Sequence, residues 1–223
     1  HPCVFLLGGM KPDDSIDVME NVLSNGTADA ILTTGIVGNI VLWASGADIG
    51  QVNKDFIASR GYEDMVEKSK ELIERFGDKV KYWFTFNEVW PIATCQYIEG
   101  TFPPGIKFDI NKAVWSMHNM MLAHAKAVVA YKSKNYSGKI GIIHSLETKY
   151  AYDESKPEDH QAAKVDDVLA NQFLLDATFL GEYTEDTMNV IQNLLALHNG
   201  SFEAPEADLE VMKEAAKLND YLG

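Results

Sequence analysis

The most chemically suggestive stretch of this sequence is a short aromatic run that ends in Asn87 and Glu88. The aromatic and β-branched residues from Tyr82 to Phe86 favour a buried strand, and the two polar side chains follow at its carboxyl end. In α/β folds, that end of a strand carries the ligand site. A carboxylate that emerges from aromatic surroundings should be partly desolvated, which suits it to donating a proton near neutrality. Glu88 is therefore the first candidate for a catalytic acid.

The alternative for Asn87 and Glu88 is that they cap the segment that follows the strand. The surrounding sequence bears on this choice, because residues 83–88, 90–91 and 100–105 together resemble the acid/base segment of family 1 glycoside hydrolases. That resemblance implies a TIM barrel in which Glu88 is the general acid/base. It also implies that Asn87 binds the 2-hydroxyl group of the sugar.

The resemblance continues through most of the sequence after Lys81 and is closest to the phospho-glycosidase members of that family. It implies hydrolysis of β-glycosidic bonds with retention of configuration, and a phospho-sugar as the small-molecule partner. In that family the closing segment is the start of the sixth barrel strand, which is where this sequence stops. The segments that carry this resemblance are residues 109–131, 158–176, 181–183 and 218–223.

A retaining glycosidase needs two carboxylates, and only one of them is recognisable in this sequence. In the family, the nucleophile lies in a Thr-Glu-Asn-Gly motif on a later strand, and this motif is absent from the 223 residues. The His-Trp pair and the phosphate-recognition loop of the family are missing as well. The expectation is that Glu88 can protonate a leaving group but that the chain alone is inactive.

Three histidines follow Glu88 in segments of predicted regular structure. The strand predicted at residues 139–144 ends in His144, which either lines the substrate pocket or is a satisfied histidine at a strand end. His118 and His124 belong to a predicted helix that begins at the N-cap residue Asp109. Packing is the favoured role for His118 and His124.

Before the aromatic run, two glycine turns follow two predicted strands. Gly8 and Gly9 precede a predicted helix, with Lys11 close by, and Gly35 follows the second strand. Backbone amides at such a helix start can cradle a phosphate group. The favoured alternative is a tight turn with an exposed lysine.

Residues 3–79 resemble the nucleotide-side domain of archaeal-type phosphoglycerate kinases. The resemblance implies that Gly8, Gly9 and Lys11 approach a transferred phosphate, that Gly35 shapes a nucleotide pocket, and that a nucleotide is an alternative small-molecule partner. The chain is then expected to be a chimera, with a kinase-like segment at 1–80 and a partial glycosidase barrel at 81–223. Both families place an amphipathic helix before a strand, so the junction is only bounded between residues 56 and 81.

Composition excludes several classes of function. With 19 basic and 33 acidic residues, the net charge of −14 argues against nucleic acid or an anionic membrane as a partner. Glycine and charged residues interrupt the apolar stretches, so neither a transmembrane span nor a signal peptide is expected. Cys3 and Cys95 lack metal-type spacing, which favours a cytoplasmic protein with reduced thiols. Neither a metal site nor a cofactor is predicted.

The predicted fold is α/β, with a parallel sheet of βα units that is open or resembles half a TIM barrel and is flanked by helices. Four central strands are expected to form one continuous sheet, which is too few to close a barrel of eight. Open edges and an uncovered apolar face then favour a homo-oligomer or a partner chain. Three functions remain open: a glycosidase, a nucleotide- or phosphate-binding module, and a catalytically inert chimeric protein. The four strands are predicted at residues 4–7, 30–34, 80–86 and 139–143.

Overall fold

The computed structural model describes residues 3–9, 11–46 and 49–223, and strands alternate with helices through most of this part of the chain. The strands are β1 (Val4–Leu7), β2 (Ala30–Thr33), β3 (Tyr82–Asn87), β4 (Lys139–Ile143) and β5 (Tyr221–Leu222). The helices of the first half are α1 (Pro12–Ser24), α2 (Gly35–Ala44), α3 (Gln51–Ser59), α4 (Glu63–Phe76) and α5 (Val89–Tyr97). Those of the second half are α6 (Ile110–Ser133), α7 (Pro157–Asp167), α8 (Phe173–Phe179), α9 (Glu185–Leu197) and α10 (Glu206–Leu218), and a π-helical turn at Val168–Gln172 joins α7 to α8.

The strands pair in parallel, which confirms the predicted class of fold. Within the described residues they form two sheets, one of β1 and β2 and one in the order β3-β4-β5. The expected single continuous sheet is therefore wrong. Although β2 lies beside β3, the ladder of hydrogen bonds is interrupted between them.

The chain divides into two compact units. We call the first the sheet unit: it contains the residues up to Asn87, Ala123–Ile143 and Leu218–Gly223, and therefore all five strands. We call the second the helical unit, and it contains Glu88–Leu122 and His144–Lys217. The sequence analysis divided the chain near residue 80, into a kinase-like segment and a partial glycosidase barrel. That division concerns the families that the two segments resemble and not their contacts in space, so it stays a prediction.

In the sheet unit, the first βα units bury one face of the β1–β2 pair. Phe5 and Leu7 alternate along β1 toward a core built from α1, α2, α3 and α4. On the opposite face of the same strand, Val4 and Leu6 are 55% and 66% exposed. Alternation of side chains along a strand explains this division. The residues at the centre of the core are Ile16, Val37, Ile40, Ile57, Val66, Leu72 and Phe76.

The second sheet is held by contacts from α6 and from the last residues of the chain. Thr85 is buried in β3, and its hydroxyl lies 2.7 Å from Nδ1 of His124 on α6. The hydroxyl group of Tyr221 donates to the carbonyl oxygen of Trp83 at 2.6 Å. Asp220 accepts from the amide of Ile140 at 2.7 Å, which fixes β5 against β4. Through these contacts, the aromatic run of β3 packs within the sheet unit.

The helix α6 begins where the sequence predicts. The carboxylate of Asp109 accepts a hydrogen bond from the backbone amide of Lys112 at 2.9 Å, which confirms the predicted N-cap. The Lys112 ammonium group also bonds this carboxylate, and the contact holds the pKa of Asp109 below its usual value. None of the described helices is both long enough and apolar enough to cross a membrane.

His118 lies at the core of the helical unit and is fully buried. Its Nδ1 atom is 2.9 Å from the hydroxyl of Tyr183, and its Nε2 atom is 3.3 Å from a carboxylate oxygen of Asp208. Burial lowers the pKa of His118, and the nearby Asp208 opposes this shift in part. The rings of Trp115 and Phe202 complete the cluster. The predicted packing roles of His118 and His124 are confirmed.

Candidate active site at the end of strand β3

The strand β3 is irregular just before the polar residues at its end. Phe84 is paired with Gly141, but the next pair joins Asn87 to Ile143. Three steps along β3 therefore correspond to two steps along β4, so β3 carries one extra residue, as in a β-bulge. Bulges of this kind redirect side chains and occur often next to active sites. Asn87 is exposed at the last position of β3.

Glu88 follows the bulge in an unusual backbone conformation. Its φ of 60° and ψ of 67° lie in the left-handed region, which costs a residue other than glycine about 1–3 kcal/mol. Glu88 occupies the N-cap position of α5, but its side chain makes no capping hydrogen bond. The capping alternative is therefore not supported for the Glu88 side chain, and for Asn87 it stays open. Such strain persists only where the surrounding structure imposes it, and it is concentrated at functional sites.

Glu88 is exposed, so the expected desolvation of its carboxylate is wrong. The aromatic side chains of β3 explain the difference. Trp83 packs on Tyr131, and Phe84 packs on the edge of Tyr221, so these rings are engaged inside the sheet unit. The position of Glu88 at the strand end agrees with the sequence prediction, whereas its surroundings do not.

His144 follows β4 directly and is only 7% exposed. Its Nε2 atom lies 2.9 Å from the hydroxyl of Thr178, and that hydroxyl donates its proton to the carbonyl oxygen of Leu174 at 2.7 Å. Nε2 must therefore carry the proton and donate to Thr178. Burial lowers the pKa of His144 to about 4, so the ring is neutral at pH 7. This geometry fits a strand-end histidine, and substrate binding by His144 stays a prediction.

The segment that follows His144 is fixed by residues that the sequence analysis did not identify. Asn171, buried in the π-helical turn, bonds both backbone polar groups of Glu147. Lys149 makes ion pairs with Glu147 at 2.8 Å and with Asp166 at 2.9 Å. Further along, Tyr152 is 99% exposed. A π-helical turn is frequent at functional sites, but no local sequence pattern reveals one.

The two glycine turns predicted near a phosphate do meet in the sheet unit. A β-carbon at Gly8 would collide with the side chain of Thr34, and a β-carbon at Gly35 would lie 3.8 Å from the carbonyl oxygen of Gly9. Gly9 and Gly35 have φ values of 105° and 59°, which favour glycine. Lys11 is exposed at the start of α1. Phosphate binding by these residues stays a prediction.

The side chains that could bind a metal ion do not cluster in the described part of the chain. Over residues 3–9, 11–46 and 49–223, no three His, Cys, Asp or Glu side chains are grouped in a way that could hold a metal ion. Cys3 and Cys95 are free thiols.

Solved structures with a similar fold define the class of protein. The AHE enzyme from Alicyclobacillus herbarius aligns with a TM-score of 0.70 and 23% identity, covering 100% of this chain and 50% of that one. A β-glucosidase from Exiguobacterium marinum aligns with a TM-score of 0.66 and 23% identity, covering 94% of this chain and 48% of that one. The chain thus has an α/β fold similar to that of about half of each of these two proteins.

Sequence comparison then identifies the family. Glycosyl hydrolase family 1 matches residues 52–223. The 6-phospho-beta-galactosidase of Staphylococcus haemolyticus is 48% identical over 169 residues, which are 76% of this chain and 36% of that protein. The chain belongs to glycosyl hydrolase family 1, and it spans little more than a third of the length of this relative.

The comparisons do not support the resemblance to phosphoglycerate kinases. Neither the likeness of residues 3–79 to phosphoglycerate kinases nor the expected chimera receives support from the family match, the curated relatives or the solved structures. The alignment with the AHE enzyme from Alicyclobacillus herbarius covers 100% of this chain, so the similarity of fold includes the first two strands.

Proposed function

We propose that this chain provides the acid/base half of a retaining 6-phospho-β-glycosidase site, with Glu88 as the catalytic acid/base. The observation that carries this proposal is the strained, left-handed backbone of Glu88, which places this carboxylate residue directly after a bulged strand and inside the segment that matches the family. The 6-phospho-beta-galactosidase of Staphylococcus haemolyticus supports the choice of a phosphorylated β-glycoside as substrate.

In the proposed reaction, the protonated carboxyl group of Glu88 donates its proton to the glycosidic oxygen as the bond to the anomeric carbon breaks. A second carboxylate attacks that carbon at the same time and forms a glycosyl ester. The Glu88 carboxylate then takes a proton from a water molecule, whose oxygen attacks the anomeric carbon, displaces the second carboxylate and releases the sugar. The Asn87 amide is proposed to bond the sugar 2-hydroxyl, a contact that strengthens in the transition state.

The family motif that carries the second carboxylate, Thr-Glu-Asn-Gly, does not occur in this sequence. We infer that residues outside these 223 supply the nucleophile, either from a longer protein or from a partner chain. The isolated chain is then expected to show no turnover. The left-handed backbone at Glu88 supports this assignment because such strain is concentrated at functional sites.

Fragment complementation tests the proposal. The chain is mixed with a fragment of the Staphylococcus haemolyticus 6-phospho-beta-galactosidase that carries the part of that enzyme beyond the aligned region, and hydrolysis of a chromogenic 6-phospho-β-galactoside is measured. We expect activity only from the mixture, and we expect Glu88→Gln to lower it at least about 100-fold. Glu158→Gln is the matched control, because Glu158 is an exposed carboxylate in the first turn of α7.

Two results would count against the proposal. If the mixture with Glu88→Gln retains full activity, Glu88 is not the acid/base. If the wild-type chain binds the fragment but the complex remains inactive, the chain does not provide half of a glycosidase site. Hydrolysis by the isolated wild-type chain would show that the nucleophile lies within the 223 residues.

A second candidate function is phosphate or nucleotide binding at the glycine turns. It is favoured by one observation, the approach of the Gly9 turn to the Gly35 turn at the starts of α1 and α2. Two helix N-termini at one place would attract an anion. Saturating ADP or ATP should then raise the melting temperature, and Lys11→Ala should remove the effect. An unchanged melting temperature would eliminate this candidate, and failure of both functions would leave an inert α/β protein.

A further inference from the structure

We propose that the sheet unit contains a site for a small, uncharged, mainly apolar molecule that carries one hydrogen-bond acceptor. The site is a cavity of about 290 Å³ beside β2 and β3, where the ladder between the two sheets is interrupted. Its walls come from α1, α2, α4 and α6 as well as from the strands. The family match begins at residue 52, so the walls supplied by α1, β2 and α2 lie outside it.

The size and lining of the cavity distinguish it from a packing defect. A water molecule occupies about 30 Å³ in the liquid, and native interiors contain few voids larger than one water. Pockets that bind small ligands begin at about 300 Å³, which is close to the volume found here. Most of the surface is aliphatic or aromatic, so transfer of an apolar molecule from water is favourable. The principal apolar contacts are Met19, Leu23, Val41, Ile73, Phe84 and Ile140.

Two polar groups on the wall have no hydrogen-bond partner. The indole nitrogen of Trp83 and the hydroxyl of Tyr131 are both buried and unpaired, and Tyr131 as a whole is 8% exposed. The Trp83 side chain and the Gly138 backbone both lie close enough to the Tyr131 hydroxyl to oppose the rise in its pKa, but neither contact has the geometry of a hydrogen bond. Because buried polar groups are almost always paired in native proteins, an unpaired donor on an apolar wall indicates a missing partner.

The chemistry of these groups defines what the ligand must offer. An indole N–H can only donate, so the ligand must carry an acceptor. Burial raises the pKa of Tyr131 to about 12, so its hydroxyl keeps its proton at pH 7 and can donate to the same acceptor. A neutral carbonyl oxygen, which has two lone pairs, meets both requirements.

The rim of the cavity argues against a charged ligand. Lys70 and Lys134 are accompanied there by the carboxylate of Glu74, and Lys70 already makes an ion pair with Glu67 at 2.6 Å. Charges of both signs at the rim leave little net field to select an anion or a cation. We therefore assign the site to a compact aromatic or aliphatic ketone or a similar neutral carbonyl compound.

Acetophenone and cumene form a suitable pair of probes, because they have nearly the same shape and only acetophenone has a carbonyl oxygen. Binding to the full 223-residue chain is measured by titration calorimetry and by the rise in melting temperature with probe concentration. We expect saturable binding of acetophenone and binding of cumene that is about three- to tenfold weaker. Trp83→Phe and Tyr131→Phe should each reduce that preference.

The control and the contrary outcomes are defined by the same measurements. Trp90→Phe, which changes a tryptophan of the helical unit, should leave both affinities unchanged. Ala130→Leu should abolish binding of both probes by filling the cavity, with circular dichroism as the check that the variant is folded. Equal affinity of the wild-type chain for both probes would overturn the role of the two polar groups. Absence of saturable acetophenone binding would show that the cavity holds water only and would overturn the proposal.

Discussion

The side chain of Asn171 pairs with the backbone of Glu147 in both directions. Its Nδ2 donates to the Glu147 carbonyl oxygen at 2.7 Å, and its Oδ1 accepts from the Glu147 amide at 3.1 Å. Nδ2 also donates to a carboxylate oxygen of Asp167 at 2.7 Å. A buried side chain from a π-helical turn thus holds the segment that follows β4, the strand that is paired with the strand preceding Glu88.

Asn171→Ala should loosen this segment. The variant leaves buried backbone groups of Glu147 without partners, which costs about 1–3 kcal/mol of unfolding free energy. Urea unfolding measures the loss, and trypsin should cleave faster after Lys149. Asn193→Ala is the control, because Asn193 is exposed on α9. If Asn171→Ala unfolds at the same urea concentration as the wild type, the two hydrogen bonds do not stabilise the segment.

Replacement of Glu88 by glycine should stabilise the chain while removing the proposed acid. Glycine adopts the φ of 60° without steric strain, so Glu88→Gly should be about 1 kcal/mol more stable than Glu88→Gln. Denaturant unfolding of the two variants compares them directly. The same pair should be equally inactive in the complementation assay. Equal stability of the two variants would show that the left-handed conformation at this position carries no strain.

Acidification should destabilise the chain through His144. Its folded-state pKa of about 4 lies below the ordinary value of 6.5, so between these pH values the unfolded state binds a proton that the folded state does not. The contribution of His144 to stability is therefore complete above about pH 6.5 and falls as the pH is lowered toward about 4, by about 3 kcal/mol in total.

His144→Gln removes this titration and keeps a donor that can reach Thr178. Unfolding free energies measured at several pH values from 7 to about 4.5 should fall less steeply in the variant than in the wild type. The pKa of His118 is also lowered, and this shift changes the unfolding free energy of both proteins in the same way as the pH falls. It therefore cancels in the comparison. Parallel pH profiles of the two proteins would contradict the burial of His144 in neutral form.

Self-association or binding of a partner chain is also expected, as the open sheet implies. Val4 and Leu6 expose 55% and 66% of their surface on one face of β1, which has β2 on one side. Light scattering coupled to gel filtration should detect a species larger than 24.8 kDa, and Leu6→Ser should reduce it. Leu197→Ser is the control, since Leu197 is 81% exposed on α9. A monodisperse monomer at all concentrations would exclude self-association.

The regular elements with strong local patterns could be predicted from the sequence. The predicted strand at residues 4–7 coincides with β1, and the cap at Asp109 starts α6 as expected. Both depend on neighbours within a few residues, where propensity and capping act. The break between β2 and β3 could not be predicted, because sheet register depends on contacts between distant segments.

The features of the candidate site can also be separated into those that the sequence determined and those that only the tertiary structure decided. The sequence alone determined that Glu88 follows an aromatic strand and that the chain resembles family 1 glycosidases, since both are properties of consecutive residues. Only the tertiary structure decided that Glu88 is exposed and left-handed, that His144 is buried against Thr178, and that Asn171 holds Glu147. These features arise from packing between segments far apart in the chain, and local residue patterns carry no information about which of those segments meet.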